Sequence, residues 1–240
     1  MKKNIFSAVL FAAITGLALF SCAGDKGAPG APGVPGAPGT GLIVSFQDSV
    51  YPTAEYAGTR DSYINSSLPA ANFGPDPLTY RFISAGWSSL QGAEFRGLIS
   101  FDTSYIMPSN VKVKEAYLIL HADASSSGSV TVTAFALTRG FTETGATWDT
   151  YDGINTWTNP GAAGDYNTIP ISNSQEVDSG KDTVVFTLDN TFVENMLKNP
   201  GQFPGIILKA TQSSGENIAV FYSRDLGTNN PKLSILYVLP

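Results

Sequence analysis

The densest concentration of side chains able to do chemistry lies between Trp148 and Tyr166. There Trp148, Tyr151, Trp157 and Tyr166 alternate with Asp149, Asp152, Asn155, Asn159 and Asp165 among glycine and proline. Aromatic rings present flat apolar faces to the C–H groups of a pyranose, while carboxylates and amides bond its hydroxyls. Trp157, just ahead of Pro160 and Gly161, is expected to be exposed. With Tyr151 and Tyr166 it would form a stacking platform on which Asp149, Asp152 and Asn155 orient the sugar. Trp148 follows a glutamate-containing block and reads instead as a core anchor. Three acids and an amide of the same stretch, Asp149, Asp152, Asp165 and Asn155, also offer the clustered hard oxygens a structural calcium would take. Tyr151 stands where an EF-hand loop needs a ligand, so solvated loop carboxylates are the competing reading. Trp87, in its own Gly- and Ser-rich loop, is a second place to look.

The rest of the inventory narrows the choice. Among 240 residues there is one cysteine, Cys22, and one histidine, His121. That excludes an intrachain disulfide, Cys-rich zinc sites and any mechanism needing two histidines. His121 ends an apolar strand with no nucleophile to pair it. Fourteen basic residues against twenty acidic ones, with no Lys/Arg cluster, argue against a nucleic-acid partner. A catalytic carboxylate pair would have to be drawn from those twenty acids with no spacing to single one out, so the chain reads as non-catalytic. Arg96 is expected to form a structural ion-pair network with Asp102, Glu143 or Asp61.

These side chains must be positioned by strands. The chain is 42% hydrophobic and 14% charged, with 24 Gly and 15 Pro, and from Leu42 onward runs of β-branched and aromatic residues are punctuated by Gly, Pro, Asn, Asp and Ser. Strands are predicted at Leu42 to Phe46, Ser62 to Asn65, Leu78 to Ser84, Phe95 to Phe101, Ala116 to Ala122, Val130 to Leu137, Thr183 to Leu188, Gly205 to Ala210, Ile218 to Tyr222 and Lys232 to Leu239. Val111 and Val113 have the opposite parity to Ala116, Leu118 and Leu120, which predicts a bulge or strand start near Glu115. One short helix is predicted, with Thr191 and Glu194 as a capping box and Pro200-Gly201 as its stop. The expected fold is all-β: a two-sheet β-sandwich, most simply a jelly roll, over residues 42–240.

The N-terminus is expected to be processed. Lys2 and Lys3 precede an apolar run from Ile5 to Phe20, which fits a signal peptide over residues 1–21. Leu19-Phe20-Ser21-Cys22 resembles the lipobox of bacterial lipoproteins, so Cys22 is the expected lipidation site and membrane anchor. Cleavage there removes two lysines and leaves 12 basic against 20 acidic residues, a net charge of −8. By the same resemblance to bacterial lipoproteins, Ala23 after the cysteine implies an outer-membrane or cell-surface location. In residues 22–41 a glycine recurs at every third place from Gly24 to Gly39, with Pro29, Pro32, Pro35 and Pro38 before the next glycine. That pattern is collagen-like, and it supports either a stiff polyproline spacer or a homotrimer wound through residues 24–39.

Several blocks resemble, in order, those of the DNRLRE domain: Gly58 to Ile64, Asn72-Phe73-Gly74, Arg96 to Asp102, Ala116 to Leu120, Phe141 to Trp148, Tyr151-Asp152-Gly153, Trp157 to Gly161, Phe221 to Asp225 and Pro231 to Leu233. Ser62 stands where threonine is usual, and Phe141 where tryptophan often is. The resemblance implies a β-sandwich module of secreted prokaryotic proteins, grouped with carbohydrate-binding modules and in some cases beside disaggregatase-type lyases. It implies a glycan-binding module, which with the expected anchor at Cys22 gives a surface-anchored head that binds polysaccharide. The alternatives are a structural or adhesive, trimeric surface protein and a polysaccharide-degrading enzyme.

Overall fold

The computed structural model describes residues 41–75, 82–104, 111–200, 203–227 and 229–239. The expected signal peptide, Cys22 and the Gly-x-Pro segment lie outside the described residues, as does the start of the strand expected at Leu78.

Twelve strands and one α-helix follow along the described chain: β1 (Leu42–Phe46), β2 (Thr59–Asn65), β3 (Phe82–Ser88), β4 (Ala93–Phe101), β5 (Lys112–His121), β6 (Val130–Leu137), β7 (Tyr166–Pro170), β8 (Gln175–Val177), β9 (Thr183–Thr187), α1 (Asn190–Lys198), β10 (Ile206–Ala210), β11 (Glu216–Tyr222) and β12 (Lys232–Val238). One sheet has the order β1-β12-β5-β9. The other runs β11-β3-β4-β10-β6-β7, with β2 added on β4 and β8 on β6. The pairings are antiparallel. The expected all-β sandwich is the observed fold.

Between the sheets lies the main core. Phe46, Leu118, Phe186 and Ile235 come from the four-stranded sheet, and Ile83, Ile99, Ile206 and Phe221 from the eight-stranded one. Alternation sends neighbouring residues of the larger sheet to its other face, where Ile64, Leu98, Leu137 and Ile207 form a second cluster. Strands apolar on both faces read as continuous runs, and Ile206-Ile207-Leu208 is the clearest case.

The bulge predicted near Glu115 is present. Leu236 faces Glu115 and Tyr237 faces Val113, so Lys114 is the extra residue. This slip brings Val113 onto the same face as Ala116, Leu118 and Leu120. The capping box is not formed. Asp189 caps α1, its Oδ1 accepting from Phe192 N at 2.7 Å, while Glu194 reaches forward to Lys198 and to Val113 N. An aspartate two residues earlier offers the orphan N–H a charged acceptor. Strands β7 and β8, both short and polar, lack the apolar signal on which the sequence reading relies.

Candidate functional site

Residues 138–165, which join β6 to β7, fold down over the outer face of the eight-stranded sheet. Phe141, Ala146, Trp157 and Ala162 of this segment close the cluster of Ile64, Leu98, Leu137 and Ile207. A segment laid over a sheet must satisfy its own backbone. Asn72 Nδ2 donates to Glu143 O at 2.9 Å and Ala146 O at 2.8 Å. Thr147 Oγ1 accepts from Asp149 N and Thr150 N, and Thr150 Oγ1 donates to Gly145 O. Gly145 packs so tightly on the backbone of Asp152 that a Cβ there would lie 2.2 Å from its carbonyl carbon.

The structure separates the expected site residues. Trp157 is corrected outright: its ring is 3% exposed, it packs at 5.7 Å from Tyr151, and its Nε1 donates to Thr147 O at 3.0 Å. Burial of the apolar cluster beneath it outweighs the loop character of its neighbours, so it presents no face to a sugar. Trp148 is a packed anchor as expected, with the Arg96 guanidinium 4.8 Å from its ring centre. Tyr151 and Tyr166 are half-buried and carry cations over their rings, Arg139 at 5.0 Å and Lys209 at 4.5 Å.

The acids divide in the same way. Asp165 is buried and takes bonds from Arg139 Nε, Thr158 N and Thr158 Oγ1. Burial works to raise its pKa, but these bonds prevail and hold it below the ordinary value. Asp152 accepts from the backbone and side chain of Asn155 and from Ile154 N, which lowers its pKa. Asp149, Asp152 and Asp165 are not among the acids whose ligand atoms converge in the described residues. Asp149 differs in its bonding. Its backbone pairs with Pro69 and Trp157, but its carboxylate receives no hydrogen bond from the described residues.

Asp149 lines a cleft of about 360 Å³ together with Asn72, Thr144, Thr147, Thr150 and Gly153. The hydroxyl of exposed Thr144 is likewise without a partner among the described residues. The amide of Asn72 and the hydroxyls of Thr147 and Thr150 are used up in shaping the wall. The result is a polar recess in which, among the described residues, Asp149 offers an acceptor and Thr144 a hydroxyl without partners. Of the residues that line this cleft, the sequence reading names Asp149, and not Thr144, as a site residue. Its signal was the excess of threonine around the glutamate-containing block.

Among the described residues one carboxylate trio converges, Asp61, Glu143 and Asp225, with ligand atoms within 4.8 Å of one another. The expected Arg96 network is not there: Arg96 pairs with Glu94 and donates to Gly161 O. Arg224 serves the acids instead. Its Nε is 2.9 Å from Glu143 Oε1, without hydrogen-bond geometry, and its Nη1 is 3.3 Å from Asp48 Oδ2. Arg224 N donates to Asp61 Oδ2, and Asp61 N to Glu143 Oε1. Burial pushes Asp61 well above the usual carboxylate range despite the Arg224 N–H, and burial also raises Glu143. Arg224 loses by burial but gains more from Glu143, Asp48, Asp225 and Asp61, and its pKa rises. The cluster ties β2 to the turn Arg224–Leu226 and to the start of the long loop, which is an architectural role.

The chain is an antiparallel sandwich with a polar, hydroxyl-rich recess in the segment that covers its outer face. The model of carbohydrate-binding module family 96 matches residues 52–237, and the chain belongs to that family. No curated protein matches it.

Proposed function

We propose that this chain is a surface-anchored, non-catalytic lipoprotein whose head binds polysaccharide in the recess of Asp149 and Thr144. The observation that carries the reading is the contrast among the loop acids: Asp152 and Asp165 have their oxygens bonded, and Asp149, facing a cleft, does not. A carboxylate acceptor that shares a cleft with a hydroxyl can pair with adjacent sugar hydroxyls, which donate and accept in turn. Among the described residues Asp149 is the one carboxylate lining this recess, whereas glycoside hydrolysis takes two that flank the bond. Membership of a carbohydrate-binding family supports the same conclusion. The order of blocks that resembles the DNRLRE domain agrees with it.

In this reading Cys22 is acylated, the chain is held at the outer membrane or cell surface, and residues 24–39 hold the head away from the bilayer. Two or three acyl chains would anchor it stably where one would not. A glycan array on the processed protein, followed by calorimetry with the best polysaccharide, tests the site. Asp149→Ala is expected to lose about 1–3 kcal/mol of binding, roughly one to two decades in Kd, with an unchanged melting temperature. Unchanged affinity in that variant would remove the recess as the site.

A further inference from the structure

Where the chain enters the sandwich, the surface is apolar over an unusual stretch. Ile43 is 74% exposed, Leu42 45% and Leu239 50%. The β1–β12 register sets Leu42 opposite Tyr237 and Ile43 opposite Leu236, so these residues share one end of the four-stranded sheet with half-buried Val238. Successive residues point to opposite faces, and the patch therefore wraps around the sheet's end: Ile43 and Leu236 on its outer face, Leu42 and Tyr237 on the inner side. Gly41 crosses directly over Leu236, where a Cβ would meet Leu236 Cδ1 at 2.5 Å. Among the described residues β1 is also an edge strand, with one side of its backbone unpaired. Leu90 and Ile154, by contrast, are exposed singly at turns, and such isolated residues need no explanation.

The sequence offers an occupant for this collar. The last triplet glycine is Gly39, and Thr40 and Gly41 alone separate it from Leu42. In a triple helix the glycines of three chains crowd one axis. Three extended residues reach at most about 10 Å, so three collars would start within that distance of a common axis. We infer that the collar of Leu42, Ile43, Leu236 and Leu239 is the head-to-head interface of a homotrimer of this chain, formed jointly with the Gly-x-Pro segment. This goes beyond the glycan-binding reading and does not depend on it.

Each half of the device is weak alone. Six glycines make a short rod, and the collar is a small patch. Joined through three residues, each makes the other's association intramolecular, at an effective concentration in the millimolar range. A threefold contact is heterologous and closes by rotation. Antiparallel pairing of β1 with its own copy is a twofold contact and does not satisfy three chains, so the collar meets through side chains.

Sedimentation equilibrium of the full chain in density-matched detergent tests this. The wild-type protein is expected to be trimeric at micromolar concentration. Ile43→Glu and Gly33→Asp should each raise the dissociation midpoint by about tenfold or more, with an unchanged far-UV spectrum. Leu239→Glu, beyond the last strand, repeats the test without touching a sheet residue. Trimers of unaltered strength in both glutamate variants would overturn the collar and leave only the rod. A wild-type monomer at every concentration would overturn rod and collar together. Flotation with phosphatidylglycerol-containing vesicles covers the remaining occupant: a monomeric protein whose vesicle binding is lost in Ile43→Glu would assign the collar to a membrane and overturn the proposal.

Discussion

Both faces of the eight-stranded sheet are apolar and both are covered, but by different means. On the inner face Ile99, Ile206 and Leu208 meet side chains of a second sheet, whose backbone is already satisfied by its own ladder. On the outer face Leu98, Ile207 and Ile64 meet an irregular segment, which must bury Trp157 and Phe141 and bond its own backbone at the same time. That second requirement consumes Asn72, Thr147, Thr150, Asp152 and Asp165. In such a segment a polar side chain with its bonds made is part of the construction, and one left unpartnered over a recess is available to a ligand. Richness in aromatic residues does not by itself make a platform.

If the outer covering is as much a part of the fold as the inner one, Trp157→Ala should behave like a core truncation. It removes a buried ring and the hydrogen bond to Thr147 O, and about 3–5 kcal/mol of stability should go with it, similar to Phe186→Ala on the inner side. Denaturant unfolding measures both. A loss below about 1 kcal/mol for Trp157→Ala would mean that the segment is not part of the cooperative unit.

A smaller effect separates the acid cluster from both faces. The folded state raises the pKa of Glu143 above its ordinary 4.5. Its contribution is therefore complete below that value and is lost as pH climbs through the raised one. Glu143→Gln keeps the acceptor for Asp61 N and removes the titration among Asp48, Asp61, Asp225 and Arg224. The melting temperature of the variant relative to wild type should rise between pH 4 and pH 8. A relative fall over that range would mean that the charged form of Glu143 is the one the fold favours.

The smallest effect belongs to the loop's exposed clamp. Arg139→Gln removes a bond to Asp165 from a side chain that is itself 43% exposed, and the drop in melting temperature should be well below that of Trp157→Ala. A drop of equal size would make the clamp, rather than the buried ring, the anchor of the segment.

Much of this was legible in the sequence because strand burial leaves a periodic trace. Alternation in Val130 to Leu137, the parity change around Glu115 and the continuous run at Ile206 each map onto an observed strand or bulge. Trp157 was misjudged because its neighbours Thr158, Asn159 and Pro160 are exposed, while its own environment is a sheet face contributed by residues far away in the chain. The same non-local cause hid Arg224, which reaches Glu143 and Asp48 from the other end of the domain. Asp149 was visible as an acid among acids. What distinguishes it, a carboxylate without a partner, exists only after folding.

The central claim is that sugar is held by the unpartnered polar groups of the recess and not by the aromatic residues of the loop. Calorimetric titration of the array's best polysaccharide into wild type, Asp149→Ala and Tyr151→Ala, with each fold verified by its melting curve, addresses it most directly. The account predicts that Asp149→Ala weakens binding about tenfold or more while Tyr151→Ala leaves it within about twofold. Full affinity in Asp149→Ala together with a loss in Tyr151→Ala would contradict it and return the site to the aromatic side of the loop.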